Sequence, residues 1–176
     1  MLQLERLRRI RIVVLDVDGV LTDGSLTFTG EGELAKTFHV RDGLGIKLLQ
    51  AAGIEVAILT GRTSSIVAYR ANELGMKRVE QGRLKKLPTL LKMLEEAGLK
   101  PEECAYMGDD LPDLPCLRAV GFAATPADGS SDLDPFIHWR APHLGGRGAV
   151  RDLAEQILRA QGQWEKLVTK RFLNEE

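Results

Sequence analysis

Short apolar runs rich in β-branched residues alternate along this chain with stretches of helical apolar spacing, and that alternation constrains the fold more than any other feature. Ile12-Val13-Val14-Leu15 and Val56-Ala57-Ile58-Leu59 have no polar face, as befits strands covered on both sides of a sheet. Cys104-Ala105-Tyr106-Met107, Gly121-Phe122-Ala123-Ala124 and the residues around Ile137-His138-Trp139 are further strand candidates. Between them, residues 43–52, 64–74, 87–97 and 149–160 have helical spacing, and Gly53, Gly75, Gly98 and Gly162 follow where a left-handed C-terminal cap favours glycine. The pattern predicts an α/β fold, a doubly wound parallel sheet with helices on both faces. A chain of 176 residues has room for about one domain of this kind, so residues 1–176 are read as a single unit.

One segment breaks the alternation. Leu26 to Val40 reads as two strands around a Gly-rich turn, a β-hairpin inserted after the first strand within residues 24–40. Its apolar residues Leu26, Phe28, Leu34, Phe38 and Val40 are many for a hairpin that projects from a small domain. An isolated hairpin is marginal in water, so this one is expected to pack on another chain.

Charge nearly cancels, with 24 Lys and Arg against 25 Asp and Glu, which argues against a surface built for nucleic acid or anionic membranes. Cys104 and Cys116 fit no ligand-like CxxC spacing and read as reduced thiols in or near the core. Residues 1–11 interleave leucine with arginine but hold no continuous apolar stretch and no cleavage site. The first strand is therefore expected to begin at once, with no targeting segment, in a cytoplasmic protein.

In open α/β sheets ligands bind beyond the carboxyl ends of the strands, so the polar residues after each apolar run come first. Asp16-Val17-Asp18-Gly19-Val20-Leu21-Thr22-Asp23 follows the first strand, Thr60-Gly61-Arg62 the second, and Gly108-Asp109-Asp110-Leu111-Pro112-Asp113 the strand at 104–107, while Lys86 opens a helix. Carboxylates gathered this closely repel one another unless a cation sits among them. Mg²⁺ suits the set, because it takes one or two carboxylates and completes its shell with water and phosphate oxygens. Asp16 and Asp18, two apart, lie on one side of an extended chain. One can attack phosphorus to form an aspartyl phosphate, while the other protonates the leaving oxygen and then deprotonates water. Lys86 and the Thr60 hydroxyl can hold the transferring group.

These four motifs, in this order and across nearly the whole chain, resemble those of the haloacid dehalogenase superfamily. The resemblance implies a Rossmann-like core and assigns Asp16 as nucleophile and metal ligand, and Asp18 as acid/base whose main-chain carbonyl meets the metal. It makes Thr60 and Lys86 phosphate holders and Asp109 the third ligand, with Asp113 and Asp110 as supports behind them. Lys85 precedes Lys86, but the run Gln81-Gly82-Arg83-Leu84-Lys85-Lys86-Leu87 resembles a pattern with the active lysine just before the leucine. Most members carry a cap domain over the substrate. Here the hairpin alone occupies the first cap position, and residues 62–109 are too few for a cap at the second, so a neighbouring subunit is expected to supply the lid.

Phe38-His39-Val40-Arg41-Asp42-Gly43-Leu44-Gly45-Ile46-Lys47, Thr60-Gly61-Arg62 and Gly145-Gly146-Arg147-Gly148-Ala149-Val150-Arg151 resemble the 3-deoxy-D-manno-octulosonate 8-phosphate phosphatases. That resemblance implies a homotetramer with shared active sites, hydrolysing an acidic sugar phosphate used in lipopolysaccharide biosynthesis. It implies substrate contacts at Asp18, His39, Val40, Arg41, Asp42, Gly43, Lys47, Arg62, Arg70 and Lys86, and a C-terminal tail, 163–176, reaching toward a neighbour's site. Cations at two places suit a substrate with both carboxylate and phosphate, and Arg62 and Arg70, eight apart, are expected to face the same way along a helix. The Gly145–Gly148 loop is open to two readings, an anion-binding turn or a mobile one. His138 and His143, five apart without a third partner, read as structural rather than metal-binding.

Two rivals remain. A sialic-acid-type 9-phosphate phosphatase shares the architecture, although the resemblance places Glu in that family where Arg62 stands here. A response-regulator receiver also accepts phosphate on Asp, but it lacks a second carboxylate spaced like Asp18.

Overall fold

The computed structural model describes residues 2–173, without the side chains of Glu33 and Leu34. In chain order, α1 (Leu2–Arg8) precedes β1 (Ile12–Leu15), the hairpin strands β2 (Thr27–Thr29) and β3 (Gly32–Ala35), α2 (Val40–Ala51), β4 (Glu55–Leu59), α3 (Ser65–Glu73), β5 (Arg78–Glu80) and α4 (Lys86–Glu96). There follow β6 (Cys104–Met107), the short α5 (Leu114–Leu117), β7 (Phe122–Thr125), β8 (Trp139–Arg140), α6 (Ala149–Ala160) and α7 (Trp164–Val168). Six strands form one parallel sheet in the order β5-β4-β1-β6-β7-β8. The chain thus winds outward from β1 in both directions, and the crevice at the β1 end is where such sheets bind ligands.

Alternate residues of β1 serve opposite faces. Val13 and Leu15 join α1, α2, α3 and α6 in one buried layer, while Ile12 and Val14 join α4 and α5 in the other. Each such aliphatic side chain contributes roughly 1.5–3 kcal/mol by leaving water. All four glycines expected to close helices have left-handed φ, between 66° and 80°. At Gly53 the ring of bonds is complete: its N–H reaches the Gln50 carbonyl and the Ile54 N–H reaches that of Leu49. Among the described residues no helix is long and apolar enough to cross a membrane.

Several expectations change. The N-terminus does not enter the sheet at once: residues 2–8 coil into α1, which buries Leu7 against the sheet layer, with Ile10 buried just after it. The strand β5 has no apolar run to mark it, being three half-buried residues of which two, Arg78 and Glu80, are charged, at the sheet edge. The hairpin is shorter than its apolar pattern suggested. Val40 opens α2 and is 79% exposed, and Phe38 turns back onto its own domain's core, whereas Leu26 and Phe28 stay exposed. Leu34 belongs to the same apolar pattern, and its side chain lies outside the described residues. Trp164, at the start of the tail, packs on the core beneath Arg151 and Arg159, whose guanidinium carbons lie 5.2 and 4.7 Å from its ring centre. Residues 174–176 of the tail lie outside the described residues.

Candidate active site

Beyond the carboxyl ends of β1, β4 and β6 lies a cavity of about 400 Å³, lined by Asp16, Asp18, Thr60, Arg62, Lys86, Asp109, Asp110 and Asp113 among others. The polypeptide enters it directly from the strands. Asp16 follows β1, where its backbone N–H bonds the Met107 carbonyl of the neighbouring strand at 3.1 Å. Its Oδ1 accepts the Val17 N–H at 2.7 Å and its Oδ2 accepts Lys86 Nζ at 2.6 Å, so the carboxylate has a fixed orientation. Thr60 is buried at the end of β4. Lys86 is the first residue of α4 and is buried, whereas Lys85 is the exposed residue before the helix, so position within the fold decides between the adjacent lysines.

Asp113 organises the site from behind. Its Oδ1 accepts Lys86 Nζ at 2.7 Å and the Tyr106 hydroxyl at 2.6 Å, and its Oδ2 accepts the backbone N–H groups of Asp109 and Asp110 at 3.1 and 3.4 Å. In the sequence Tyr106 stands only as part of a strand, outside the motifs. Its signal was a hydroxyl on a strand buried on both faces, since a buried Tyr O–H needs a partner. Burial by itself would push the Lys86 ammonium down, but the carboxylates of Asp113 and Asp16 outweigh it and hold it above its ordinary value.

One oxygen each from Asp16, Asp109 and Asp113 can be chosen within 4.8 Å of one another. Burial, then Asp113, pushes Asp16 up to about 6, and burial, then Asp113 and Asp16, pushes Asp109 up to about 7. These are carboxylates short of positive charge, the condition a hard divalent cation relieves. Asp113 already accepts four donors and has no oxygen to spare, so the side chains that fit a cation are those of Asp16 and Asp109. Gly19 makes room for this: its φ is +87°, and a Cβ there would come within 2.0 Å of Asp109 Oδ2.

Asp18 reaches the cavity between two cations. Its Oδ1 lies 2.5 Å from Lys36 Nζ, just after the hairpin, and its Oδ2 lies 3.8 Å from Arg62 Nε. Arg62 in turn sits over the Phe28 ring, 5.7 Å from its centre. No motif in the sequence singles out Lys36. Its only local signal is that it is the one lysine of residues 24–40. Asp110 is exposed at the cavity rim, and its carboxylate accepts its own neighbour's N–H from Leu111, so it caps the 3₁₀ turn at Leu111–Asp113.

The other residues expected to contact substrate lie elsewhere in this chain. His39 caps α2 through Nδ1, which accepts the Arg41 N–H at 3.3 Å; Arg41 is exposed, and Lys47 is half-buried. Asp42 is buried, and its two oxygens accept the Gly148 and Arg151 N–H groups at the start of α6. Arg70 packs over the Phe38 ring at 5.8 Å and pairs with Glu73, and a Cβ on Gly43 would come within 2.6 Å of Arg70 Nη2. Arg62 and Arg70 do not share a helical face, because α3 begins only at Ser65.

The glycine loop at 145–148 is neither an anion cradle nor loose. A Cβ on Gly145 would come within 1.9 Å of the Gly19 carbonyl, and the Gly146 N–H bonds the Val20 carbonyl at 2.8 Å. The loop buttresses the turn that follows Asp16. His138 Nδ1 accepts the Ala123 N–H, His143 pairs with Asp152, and both cysteines are buried and free.

Residues 31–121 match the model of the haloacid dehalogenase-like hydrolase family. A 3-deoxy-D-manno-octulosonate 8-phosphate phosphatase of Haemophilus influenzae is 44% identical over 159 residues, 90% of this chain and 88% of the relative. A crystal structure of a probable phosphatase from Pseudomonas syringae, 44% identical, superimposes with a TM-score of 0.95 over 99% of each chain. Another, a 3-deoxy-D-manno-octulosonate 8-phosphate phosphatase of Moraxella catarrhalis in complex with a magnesium ion, a phosphate ion and a KDO molecule, is 38% identical with a TM-score of 0.92, covering 95% of this chain and 96% of that one.

Proposed function

The chain belongs to the haloacid dehalogenase-like hydrolases, and from that premise we propose that it is a Mg²⁺-dependent phosphatase that hydrolyses 3-deoxy-D-manno-octulosonate 8-phosphate to the free sugar and inorganic phosphate. One observation carries the reading: Lys86 bridges Asp16 and Asp113 at 2.6 and 2.7 Å on the wall that Thr60 and Asp109 share. It is supported by relatives of that activity over nearly the whole chain.

Asp16 Oδ attacks phosphorus as the bond to the sugar oxygen breaks, and Asp18 gives its proton to that oxygen, releasing the alcohol. Water then displaces Asp16 from phosphorus and leaves its proton on Asp18, which restores the enzyme. Lys86 and the Thr60 hydroxyl hold phosphoryl oxygens, and Asp113 keeps Lys86 aimed at them. Mg²⁺ would be held by Asp16, Asp109 and the Asp18 main-chain carbonyl, and when bound it neutralises charge on the carboxylates and phosphate.

The finer reading is a cytoplasmic homotetramer with shared sites, acting in lipopolysaccharide biosynthesis. Exposed Leu26, Phe28 and Val40 would pack on neighbouring hairpins. His39, Val40, Arg41, Gly43, Lys47 and Arg70, which do not line this chain's own cavity, would then serve a site completed between subunits, with the tail 163–176 as part of its lid. Arg62 at the cavity supports the octulosonate substrate, offering a cation to the sugar acid.

Phosphate release should be measured over sugar phosphates including this substrate and a nine-carbon acidic sugar 9-phosphate, with Mg²⁺ and with chelator. Selective turnover of the octulosonate that vanishes in chelator and in Asp16→Asn is expected. Equal slow turnover of all substrates would refute the substrate assignment, and none at all with Mg²⁺ the enzyme class. A monomeric mass in solution would refute the shared site.

A further inference from the structure

Among the described residues, Asp18 has two cationic neighbours of different character. Arg62 is nearly half exposed and 3.8 Å away, whereas the Lys36 side chain is 1% exposed and its Nζ lies 2.5 Å from Asp18 Oδ1. An exposed pair at that longer distance orients a carboxylate poorly, while a buried ammonium in direct hydrogen-bonding contact holds it in one place. Lys36 stands one residue beyond β3, so the contact is set by how the hairpin sits, and Phe28 on β2 meets Arg62 from the same hairpin.

We propose that Lys36 is a positioning residue, holding the Asp18 carboxyl group at the angle from which it protonates the departing oxygen. The inference rests on the phosphatase reading above and adds to it a role for the hairpin in the chemistry of its own chain. In the step concerned, an Asp16 oxygen bonds to phosphorus, the phosphorus bond to the leaving oxygen breaks, and the Asp18 proton passes to that oxygen. An alkoxide is a poor leaving group and needs the proton. A nitrophenolate leaves without it, so positioning of Asp18 affects the two reactions unequally.

The test compares kcat/KM, which covers the steps up to release of the alcohol, for the octulosonate 8-phosphate and for p-nitrophenyl phosphate in the full-length Mg²⁺-loaded enzyme. Lys36→Met should lose about 100-fold on the sugar phosphate and less than about 5-fold on the aryl ester, the scale of a displaced general acid. Lys36→Arg should recover most of the loss. In an Asp18→Asn background, Lys36→Met should cost nothing further on the sugar phosphate. Equal losses on both substrates, no loss on either, or an undiminished effect in the Asp18→Asn background would each overturn the inference while leaving the phosphatase reading intact. A wild-type enzyme inactive on both substrates would overturn that reading and this inference with it. Should Lys36→Met fail to fold, as judged by thermal melting, Lys36→Gln preserves most of the stem and is read by the same ratio.

Discussion

Asp42, on the first turn of α2, accepts the Arg151 N–H at 2.9 Å across 109 residues of sequence. Its other oxygen accepts the Gly148 N–H at 3.2 Å, so it caps α6, whose own N-cap residue is a glycine without a side chain to do so. Burial pushes its carboxyl up, and the two N–H groups pull it back. Asp42→Ala would leave two donors without their acceptor and should cost about 1–3 kcal/mol. Urea denaturation should show a lower midpoint at unchanged slope, with Asp42→Asn falling between. A midpoint equal to wild type would refute the capping role.

The Lys86–Asp113 pair joins a buried ammonium to a buried carboxylate at 2.7 Å. Asp113→Ala leaves Lys86 with Asp16 as its remaining partner and strands the Tyr106 hydroxyl and the Asp109 and Asp110 N–H groups, at about 1–3 kcal/mol for each buried group left unsatisfied. Asp113→Ala should therefore be far more destabilising than Tyr106→Phe, which removes one hydrogen bond worth about 1 kcal/mol. The double variant Lys86→Met/Asp113→Ala should lose less than the sum of the two single losses. Additive losses in that double-mutant cycle would argue against the pairing.

Without metal, Asp16 and Asp109 titrate at about 6 and about 7, above the ordinary value of 3.8. Over that window these two groups bind more protons in the folded protein than in the unfolded chain, so the stability they contribute is fully present below about pH 3.8 and is lost as pH rises through the raised values. Mg²⁺ competes with those protons, so the gain in Tm on adding it should be small near about pH 5 and grow toward about pH 8. A Mg²⁺-induced shift independent of pH would show that these carboxylates are not its ligands.

Gly19→Ala meets two obstacles at once, a φ of +87° and the Asp109 carboxylate 2.0 Å from the new Cβ. The backbone conformation alone costs roughly 1–2 kcal/mol for an L-residue. Displacing Asp109 should further weaken Mg²⁺ binding by about 10-fold or more. Calorimetric titration with Mg²⁺ reads the second effect apart from stability, and unchanged affinity would mean that Asp109 does not hold the ion.

Local pattern carried the outline of this protein. Apolar runs without a polar face identified β1 and β4, weaker runs marked β6, β7 and β8, and helical spacing ending in glycine identified α2, α3, α4 and α6, because strand and helix periods and left-handed caps are properties of neighbouring residues. The carboxylates, Thr60 and Lys86 were legible for the same reason: each stands directly after a strand or at the start of a helix, and parallel topology gathers those positions at one edge.

What stayed hidden depends on residues far apart in sequence. No local signal distinguishes Asp42 as a helix start from Asp42 as the cap of α6, or the glycine loop at 145–148 as an anion cradle from a buttress of the turn after Asp16. Tyr106 and Lys36 have ordinary neighbours, and only packing brings them to Asp113 and Asp18. Sequence alone determined the elements and the chemical groups they carry, because periodicity and motif are written within a few residues. The tertiary structure decided which donor meets which acceptor, because a buried polar group takes its partner from whatever the closed fold sets beside it.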